Sequence, residues 1–430
     1  MNRLALTSFT LLAVVATTLA ADWPQYRGPK TDGTSPEKIA KSWPGAGPKE
    51  LWKVPSTGGF SSFVVAGGKA FTLELRSVDS AEQETLVARD AITGKELWQQ
   101  ALGAMKTDRP NDGANSGAGD NKGGDGPRAT PAVDGSFVYT TSAKLTVTCF
   151  ESASGNVVWR HDLLKEFTGR NISWMNAASP VIEGDLLIVA GGGPDQSLLA
   201  FNKKDGAVVW KAFDEKMTHA TPVVATIHGT RQVIFFLQSG LLAVEPKTGK
   251  ELWRHPFPYK VSTAASPVVA GDIVYCSAGY DVGAGAAKIT KDGDKFTATE
   301  LYRFAGNKPL ANHWSTPVLK DGHLYGMFQF KEYGSGPLKC VEVATGKVKW
   351  EQAGFGPGHV ILVDGHVLVL SDAGDLVLVK AVTDSYQEVA RAHVLAGKCW
   401  TTPVVSNGHV YARSTKEAVC LDLNPKTAAR

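Results

Sequence analysis

The chain has no Cys-x-x-Cys step, which excludes a paired-thiolate metal site and, with no Cys-x-x-Cys-His, covalent haem. It has no Gly-x-Ser-x-Gly elbow, so the hydrolase chemistry built on that turn has no support. No run or stripe of one charge occurs: 45 basic and 42 acidic residues are mixed along the chain, leaving a net charge of +3. Nucleic acid is therefore not the expected partner. Beyond the first twenty residues no apolar stretch is long enough to span a bilayer. Cysteine is scarce, five residues in 430.

Those first twenty residues differ from the rest. Asn2-Arg3 is a short basic start, Leu4 to Leu19 is mostly apolar, and Thr18-Leu19-Ala20 offers small residues for cleavage. This pattern predicts an export signal cut after Ala20, or alternatively after Ala21, and hence a periplasmic or secreted protein. No cysteine lies near that point, so a lipid anchor on the processed N-terminus is not expected.

What the chain does have is a repeat. Ala88-Arg89-Asp90-Ala91-Ile92-Thr93-Gly94-Lys95-Glu96-Leu97-Trp98 returns as Ala243-Val244-Glu245-Pro246-Lys247-Thr248-Gly249-Lys250-Glu251-Leu252-Trp253, and again from Cys340 to Trp350. Looser copies end at Trp159 and Trp210. Upstream of each copy runs a Ser/Thr-Pro step, a β-branched run and a tight turn: Thr130-Pro131, Ser179-Pro180, Thr221-Pro222, Ser266-Pro267, Thr316-Pro317 and Thr402-Pro403. Ser62 and His359 fill the same place without proline. Asp-Gly and Asn-Gly steps between alternating apolar runs signal hairpins.

A period of roughly 40–50 residues means stacked units that cannot bury their apolar faces alone. Each unit reads as a four-stranded antiparallel meander. The expected fold is an all-β, eight-bladed propeller over residues 49–423, with seven blades as the fallback. A signal (1–20) and an extension (21–48) precede it, and a tail (424–430) follows. The eighth unit ends before any tryptophan, while Lys49-Glu50-Leu51-Trp52-Lys53 looks like a cassette tail without its front. Pairing the two closes the ring and removes its free edges. Trp52, Trp98, Trp159, Trp210, Trp253 and Trp350 are expected to dock neighbouring blades. Cys149, Cys340 and Cys420 fill the cassette's small-residue place, and Cys276 lies in a buried strand. Only Cys399, beside Trp400, stands where chemistry is conceivable.

The cassette resembles the pyrroloquinoline-quinone (PQQ)-like propeller repeat of the quinoprotein alcohol dehydrogenase-like superfamily. That superfamily also holds non-enzymatic propellers of the outer-membrane-protein assembly factor B type. The likeness covers nearly the whole processed chain and sharpens at Asp22 to Pro29, Gly126 to Pro131 and Gly191 to Pro194. It implies the fold and leaves two functions open. The quinoprotein reading implies a Trp floor under the quinone, calcium held by oxygens, an Asp base and often a disulfide between adjacent cysteines. Trp314 or Trp400 could be that floor, Asn176 an oxygen ligand and Arg128 a partner for quinone oxygens. No two cysteines are adjacent, however, and no acid stands at the innermost positions, leaving loop acids such as Asp125, Asp195 or Asp281.

The long irregular segments all fall on one face of such a ring, where variable loops on a rigid scaffold carry function. Residues 103–127, with Asp108, Asp112, Asp120 and Asp125, make the largest, and they lack calcium-loop spacing. Positions just before the Ser/Thr-Pro step should line the mouth of the axial funnel. They bring Arg128, Asn176, His219, His313, Trp314 and Trp400 together, with Trp174 and His359 nearby. The reading favoured is a ligand- or protein-binding scaffold whose partner is a small molecule, a glycan or a periplasmic protein, acting as a monomer. The alternative is a PQQ- and calcium-dependent dehydrogenase of alcohols or sugars.

Overall fold

Asp321-Gly322, Asp364-Gly365 and Asn407-Gly408 each hold two successive residues at positive φ, the first at 48–58° and the second at 73°. That backbone matches the twist of the strands it joins, and Gly at the second position adopts it without steric cost. The cassette turn is built differently. Asp90 Oδ1 accepts hydrogen bonds from the amides of Ile92 and Thr93 and from the Thr93 hydroxyl. Glu245 repeats this with Thr248. The acid-x-x-Thr-Gly pattern is thus a side-chain-capped turn with glycine at left-handed φ.

The computed structural model describes residues 21–45, 47–105, 126–307, 309–328 and 336–425. Their strands form eight sheets arranged as blades, seven four-stranded and one five-stranded. Blade I comprises Val64–Ala66, Lys69–Val78, Ala81–Asp90 and Glu96–Ala104. Blade II runs from Ala132–Asp134 to Val157–Asp162, III from Val181–Glu183 to Val208–Ala212, and IV from Val223–Ile227 to Glu251–Pro256. Blade V spans Val268–Ala270 to Lys295–Phe304, VI Val318–Lys320 to Val348–Gln352, and VII His359–Val363 to Glu388–His393. Blade VIII takes Val404–Ser406, His409–Arg413 and Glu417–Asp422 from the end of the chain and Lys49–Pro55 from its start. The closing strand pairs antiparallel, Lys49 opposite Asp422 and Pro55 opposite Glu417. Eight blades and N-terminal closure are therefore the architecture. One short helix, Leu163–Glu166, occurs among the described residues.

Adjacent blades are joined by a regular device. The indole N–H of Trp52 donates to Ala91 O of blade I, that of Trp98 to Ser152 O of II, of Trp159 to Lys203 O of III and of Trp210 to Pro246 O of IV. Each ring lies over the glycine of the next blade's cassette turn; a Cβ on Gly94 would stand 2.7 Å from the Trp52 ring. The glycine therefore serves both the φ and the ring above it. Trp350 donates to Val382 O of VII.

Trp253 is buried in one core cluster with Val274, Cys276 and Ala287 of blade V, and its indole hydrogen bond differs from those above. It donates to Gln232 Oε1 of its own blade, because blade V joins its two ten-residue outer strands at Asp292-Gly293 and has no cassette turn there. Blade V itself uses Tyr302 at the tryptophan register, its hydroxyl donating to Val343 O of VI. Blade VII has Ala390 at that register. Its neighbour, closed by a strand from the far end of the chain, has no turn for a tryptophan to cover.

A second device rings the axis. The amide of Ser62 donates to Thr130 Oγ1, that of Thr130 to Ser179 Oγ, of Ser179 to Thr221 Oγ1, of Ser266 to Thr316 Oγ1 and of Thr402 back to Ser62 Oγ, all at 2.9–3.0 Å. His359 takes the place in blade VII, its Nδ1 3.2 Å from Thr402 Oγ1. The hydroxyl before each proline is thus a blade-to-blade link.

The N-terminal extension crosses the axis at the end opposite this collar's loops. Trp23 pairs with Val65 of blade I, Pro24 O accepts from Val133 of II, Gln25 Oε1 from Ile182 of III, and Thr31 Oγ1 from Val224 of IV. Arg27 donates to Thr316 O and Pro317 O before the first strand of VI. Thr34–Ser35 adds a parallel strand to VII, and Glu37 accepts from the Asn407-Gly408 turn of VIII. Successive residues of one segment therefore address blades I, II, III, IV, VI, VII and VIII. This segment covers the axis on the short-turn side.

Candidate functional site

Two residues before each collar position stand Phe60, Arg128, Ala177, His219, Ala264, Trp314, Pro357 and Trp400, one from every blade. Phe60, Arg128, Ala177, Ala264, Trp314 and Trp400 are half-buried and ring the axis at the end opposite the N-terminal segment. The rim is polarised. Trp314 and Trp400 lie with ring centroids 4.5 Å apart at 39°, and Trp400 and Phe60 at 5.1 Å and 38°. The carbonyl of Pro357, from blade VII, accepts the Trp314 indole N–H at 3.0 Å. Blades VI, VIII and I thus contribute adjoining aromatic rings. Lys398 Nζ sits 4.1 Å from the Trp400 centroid, and the buried Trp400 Nε1 has no protein partner.

The opposite rim is polar and carries two successive non-glycine residues in the left-handed region. Trp174 and Met175 both adopt left-handed φ, 63° and 61°. That is a costly conformation for bulky side chains, and such strain clusters at functional sites. Two side chains from flanking blades hold it: Arg128 Nη1 donates to Trp174 O at 3.0 Å, and His219 Nε2 meets Ser173 O at 2.9 Å. His219 Nδ1 is met by Ser262 Oγ at 2.9 Å. Burial and the Arg128 charge push His219 down to about 4, so the ring is neutral at pH 7.

The eight residues expected at the funnel thus divide. Arg128, Trp174, Trp314 and Trp400 are half-buried at the rim. His219 is buried with both ring nitrogens engaged. Asn176 is 1% exposed, its amide donating to Ala178 O and Ser142 O and its Oδ1 accepting from Ala178 N. It therefore shapes the loop and offers no oxygen to a ligand. His313 is buried between Tyr280 and Trp314 at 5.0 and 4.6 Å. His359 lies deeper, in the collar, and burial with the Arg27 charge beneath it pushes it down to about 3. Asp108, Asp112, Asp120 and Asp125 lie outside the described residues.

Sequence reasoning missed Glu84 and the strained turn. Glu84 sits on the third strand of blade I, 2% exposed, its Oε2 accepting from Ala143 N at 2.8 Å. Nothing in a strand of mixed polarity marks it as buried. Burial pushes its carboxyl up to about 7, with Arg128 and Lys144 pulling the other way. A carboxyl that is raised on folding favours the folded state below its unfolded pKa, near 4.5, and that contribution is lost as pH rises through 7. Glu84→Gln keeps the acceptor for Ala143. It is expected to stabilise by about 1–3 kcal/mol at pH 8 and to change little at pH 4, read from melts at both pH values.

Cys399 corrects an expectation. It is fully buried, Sγ directed at Gly397 O, and burial beside Asp372 drives its thiol far above the ordinary range. The other four cysteines are buried too, with Cys340 raised to about 11 and Cys149 and Cys420 to about 12. None is a thiolate at neutral pH. A thiol-specific chromogenic reagent is expected to label none in the native protein and five after denaturation.

Residues 82–326 and 334–430 match the family described as outer membrane protein assembly factor BamB. The chain belongs to this BamB family. It is 26% identical over 235 residues to the outer membrane protein assembly factor BamB of Shewanella oneidensis, covering 52% of this chain and 56% of that one. It is 27% identical over 254 residues to a quinoprotein ethanol dehydrogenase of Pseudomonas putida, covering 52% of this chain and 40% of that one. This BamB-family chain thus aligns with about half the length of these relatives. Among solved structures, BamB of Moraxella catarrhalis superposes with TM-score 0.57 at 14% identity, over 87% of this chain and 97% of that one. Quinohemoprotein alcohol dehydrogenase of Comamonas testosteroni gives 0.63 at 13%, over 93% and 80%. Identities this low show the shared fold alone.

The quinone and calcium implied by the resemblance are not fitted by the described residues of this BamB-family chain. Trp314 and Trp400 pack on each other, Asn176 is spent on backbone, and no group of three His, Cys, Asp or Glu could hold a metal among the described residues. Among them, too, no helix is long and apolar enough to cross a membrane.

Proposed function

We propose that this chain is an exported propeller that binds a ligand or partner at the loop-rich mouth of its axial funnel. One observation carries the reading: Phe60, Arg128, Trp174, Trp314 and Trp400 are large, half-buried, outside the repeat cassette, and come from different blades at the end of the axis opposite the N-terminal segment. A repeat needs no such variety at one level for its own stability, and concave sites with aromatic linings and a few polar groups are where ligands bind. The leader-like residues 1–20 support export to the periplasm or beyond. The names of the relatives support both a role in protein assembly and one in quinone-dependent oxidation; the absence of a fitting oxygen set among the described residues favours the first class.

The test is calorimetric titration of pyrroloquinoline quinone, with and without calcium, into the processed protein. No heat is expected at high cofactor concentration. Saturable one-to-one binding that needs calcium would replace this reading with that of a dehydrogenase.

A further inference from the structure

The axis carries a second polar centre, independent of the mouth. We infer that a chloride-sized monovalent anion binds on the axis at the collar, between the Arg27 guanidinium and the ring of Ser/Thr hydroxyls.

The hydroxyls argue for an acceptor. Ser62, Thr130, Ser179, Thr221 and Thr316 are each at most 4% exposed. Each oxygen accepts the amide of a neighbouring blade, from Thr402, Ser62, Thr130, Ser179 and Ser266 in turn. None of the five donates its own hydrogen to an acceptor among the described residues. A buried hydroxyl ordinarily finds one, and its hydrogen rotates to suit. Five such donors set around one axis suit a single species that accepts from several of them. His359 holds the collar position in blade VII, with Nδ1 on Thr402 Oγ1 and its buried Nε2 without a partner. On the neutral ring Nε2 can carry the hydrogen and add a sixth donor.

Arg27 argues for negative charge. It is 3% exposed, and its guanidinium meets backbone carbonyls only: Thr316 O of the collar and Asp32 O at 2.9 Å, and Pro317 O at 2.8 Å. Its buried Nε has no partner. The Asp32 carboxylate is exposed and accepts from the amide and hydroxyl of Thr34. Burial and then the Arg27 charge hold His359 neutral, which places the guanidinium within electrostatic reach of the collar. A buried cation without a bonded carboxylate calls for a counter-ion. Arg413, equally buried, is served by five acceptors, and the Glu74 charge acts on it. The charge and shape of the anion follow from Arg27. One cation asks for one negative charge. Both hydrogens of Nη2 are spent on Asp32 O and Pro317 O. Either bidentate edge of a guanidinium needs Nη2, so a forked carboxylate or phosphate is not matched and a point-like anion is.

The test is thermal unfolding of the protein as chloride or bromide replaces gluconate at constant ionic strength, together with anomalous diffraction from bromide-soaked crystals. Chloride and bromide at about 100 mM are expected to raise the midpoint by about 2–4 °C over gluconate. Bromide should appear on the axis within hydrogen-bond distance of the collar hydroxyls. Arg27→Gln should abolish the chloride response, and Thr221→Val, which removes one donor and leaves the charge, should weaken it. Each variant is read as a difference between two salts, so a lower midpoint in itself does not obscure the result. Equal midpoints in chloride and gluconate, or an Arg27→Gln variant that keeps the response, would overturn the site. So would bromide found on the outer surface alone, which would mean an adventitious ion only. If Arg27→Gln does not fold, the presence or absence of axial bromide in the parent protein decides the question.

Discussion

Removing residues 22–43 while keeping the closing strand Lys49–Pro55 is expected to lower the melting temperature by on the order of 10 °C or more, or to leave the protein without a cooperative transition. This segment is the one stretch that touches nearly every blade. Trp23 is 2% exposed and stacks over Gly28, so Trp23→Ala alone should cost about 3–5 kcal/mol. Arg27 is buried and directs its guanidinium at three backbone carbonyls, those of Asp32, Thr316 and Pro317. Losing the segment strands the carbonyls of Thr316 and Pro317 and the amides of Val133, Ile182, Val224 and Leu362. Against a total stability of about 5–15 kcal/mol, several such losses together are decisive. Differential scanning calorimetry of the shortened chain checks this, and an unchanged midpoint would remove the segment from the account of stability.

Arg413→Met is the second change with a large expected effect, about 3–5 kcal/mol. Arg413 lies in blade VIII, is fully buried, and sends its guanidinium across the closure into blade I. Nη1 donates to Leu73 O at 2.6 Å and reaches Ser61 O and Thr72 Oγ1 at 3.3 Å, while Nη2 donates to Thr57 O at 2.5 Å. Burial, which disfavours the charged form, pushes it down to about 10; the group still carries its charge at pH 7. Methionine would fill the volume and leave the carbonyls of Leu73 and Thr57 without the guanidinium where the ring's two ends meet. Urea unfolding should show a lower midpoint, and Arg413→Lys should recover only part of it, since one ammonium cannot reach the same spread of acceptors. A Met variant as stable as the parent would mean that strand pairing alone secures the closure.

The blades were legible because their signals are local and repeated. Thr93-Gly94, Thr248-Gly249 and Thr345-Gly346 each report a turn capped by an acid three residues earlier, and alternation reports the strands. The mouth was legible in part. Counting back from Ser/Thr-Pro brought Arg128, Trp314 and Trp400 to one rim, since the count keeps register with the blade. It did not separate these from His219 and Asn176, whose side chains turn away from the channel to serve neighbouring loops. Nor did it find the left-handed turn at Trp174 and Met175, because nothing in Ser173-Trp174-Met175 favours that conformation locally. It is imposed by Arg128 and His219, 46 and 45 residues away from the Trp174 turn along the chain.

The residues alone gave eight blades with seven as the fallback, their order, the strand that completes the last one and the small buried place taken by Cys149, Cys340 and Cys420. Each follows from contacts between residues close in sequence, or between repeats that obey one pattern. What Trp23, Gln25 and Arg27 do, how the collar hydroxyls link blade to blade, and that Arg413 locks the ring became visible in the assembled ring. These are single contacts across up to about 350 residues, with no periodic partner to announce them. The burial of Cys399 and Glu84 was decided the same way, because it depends on what the completed ring packs around them.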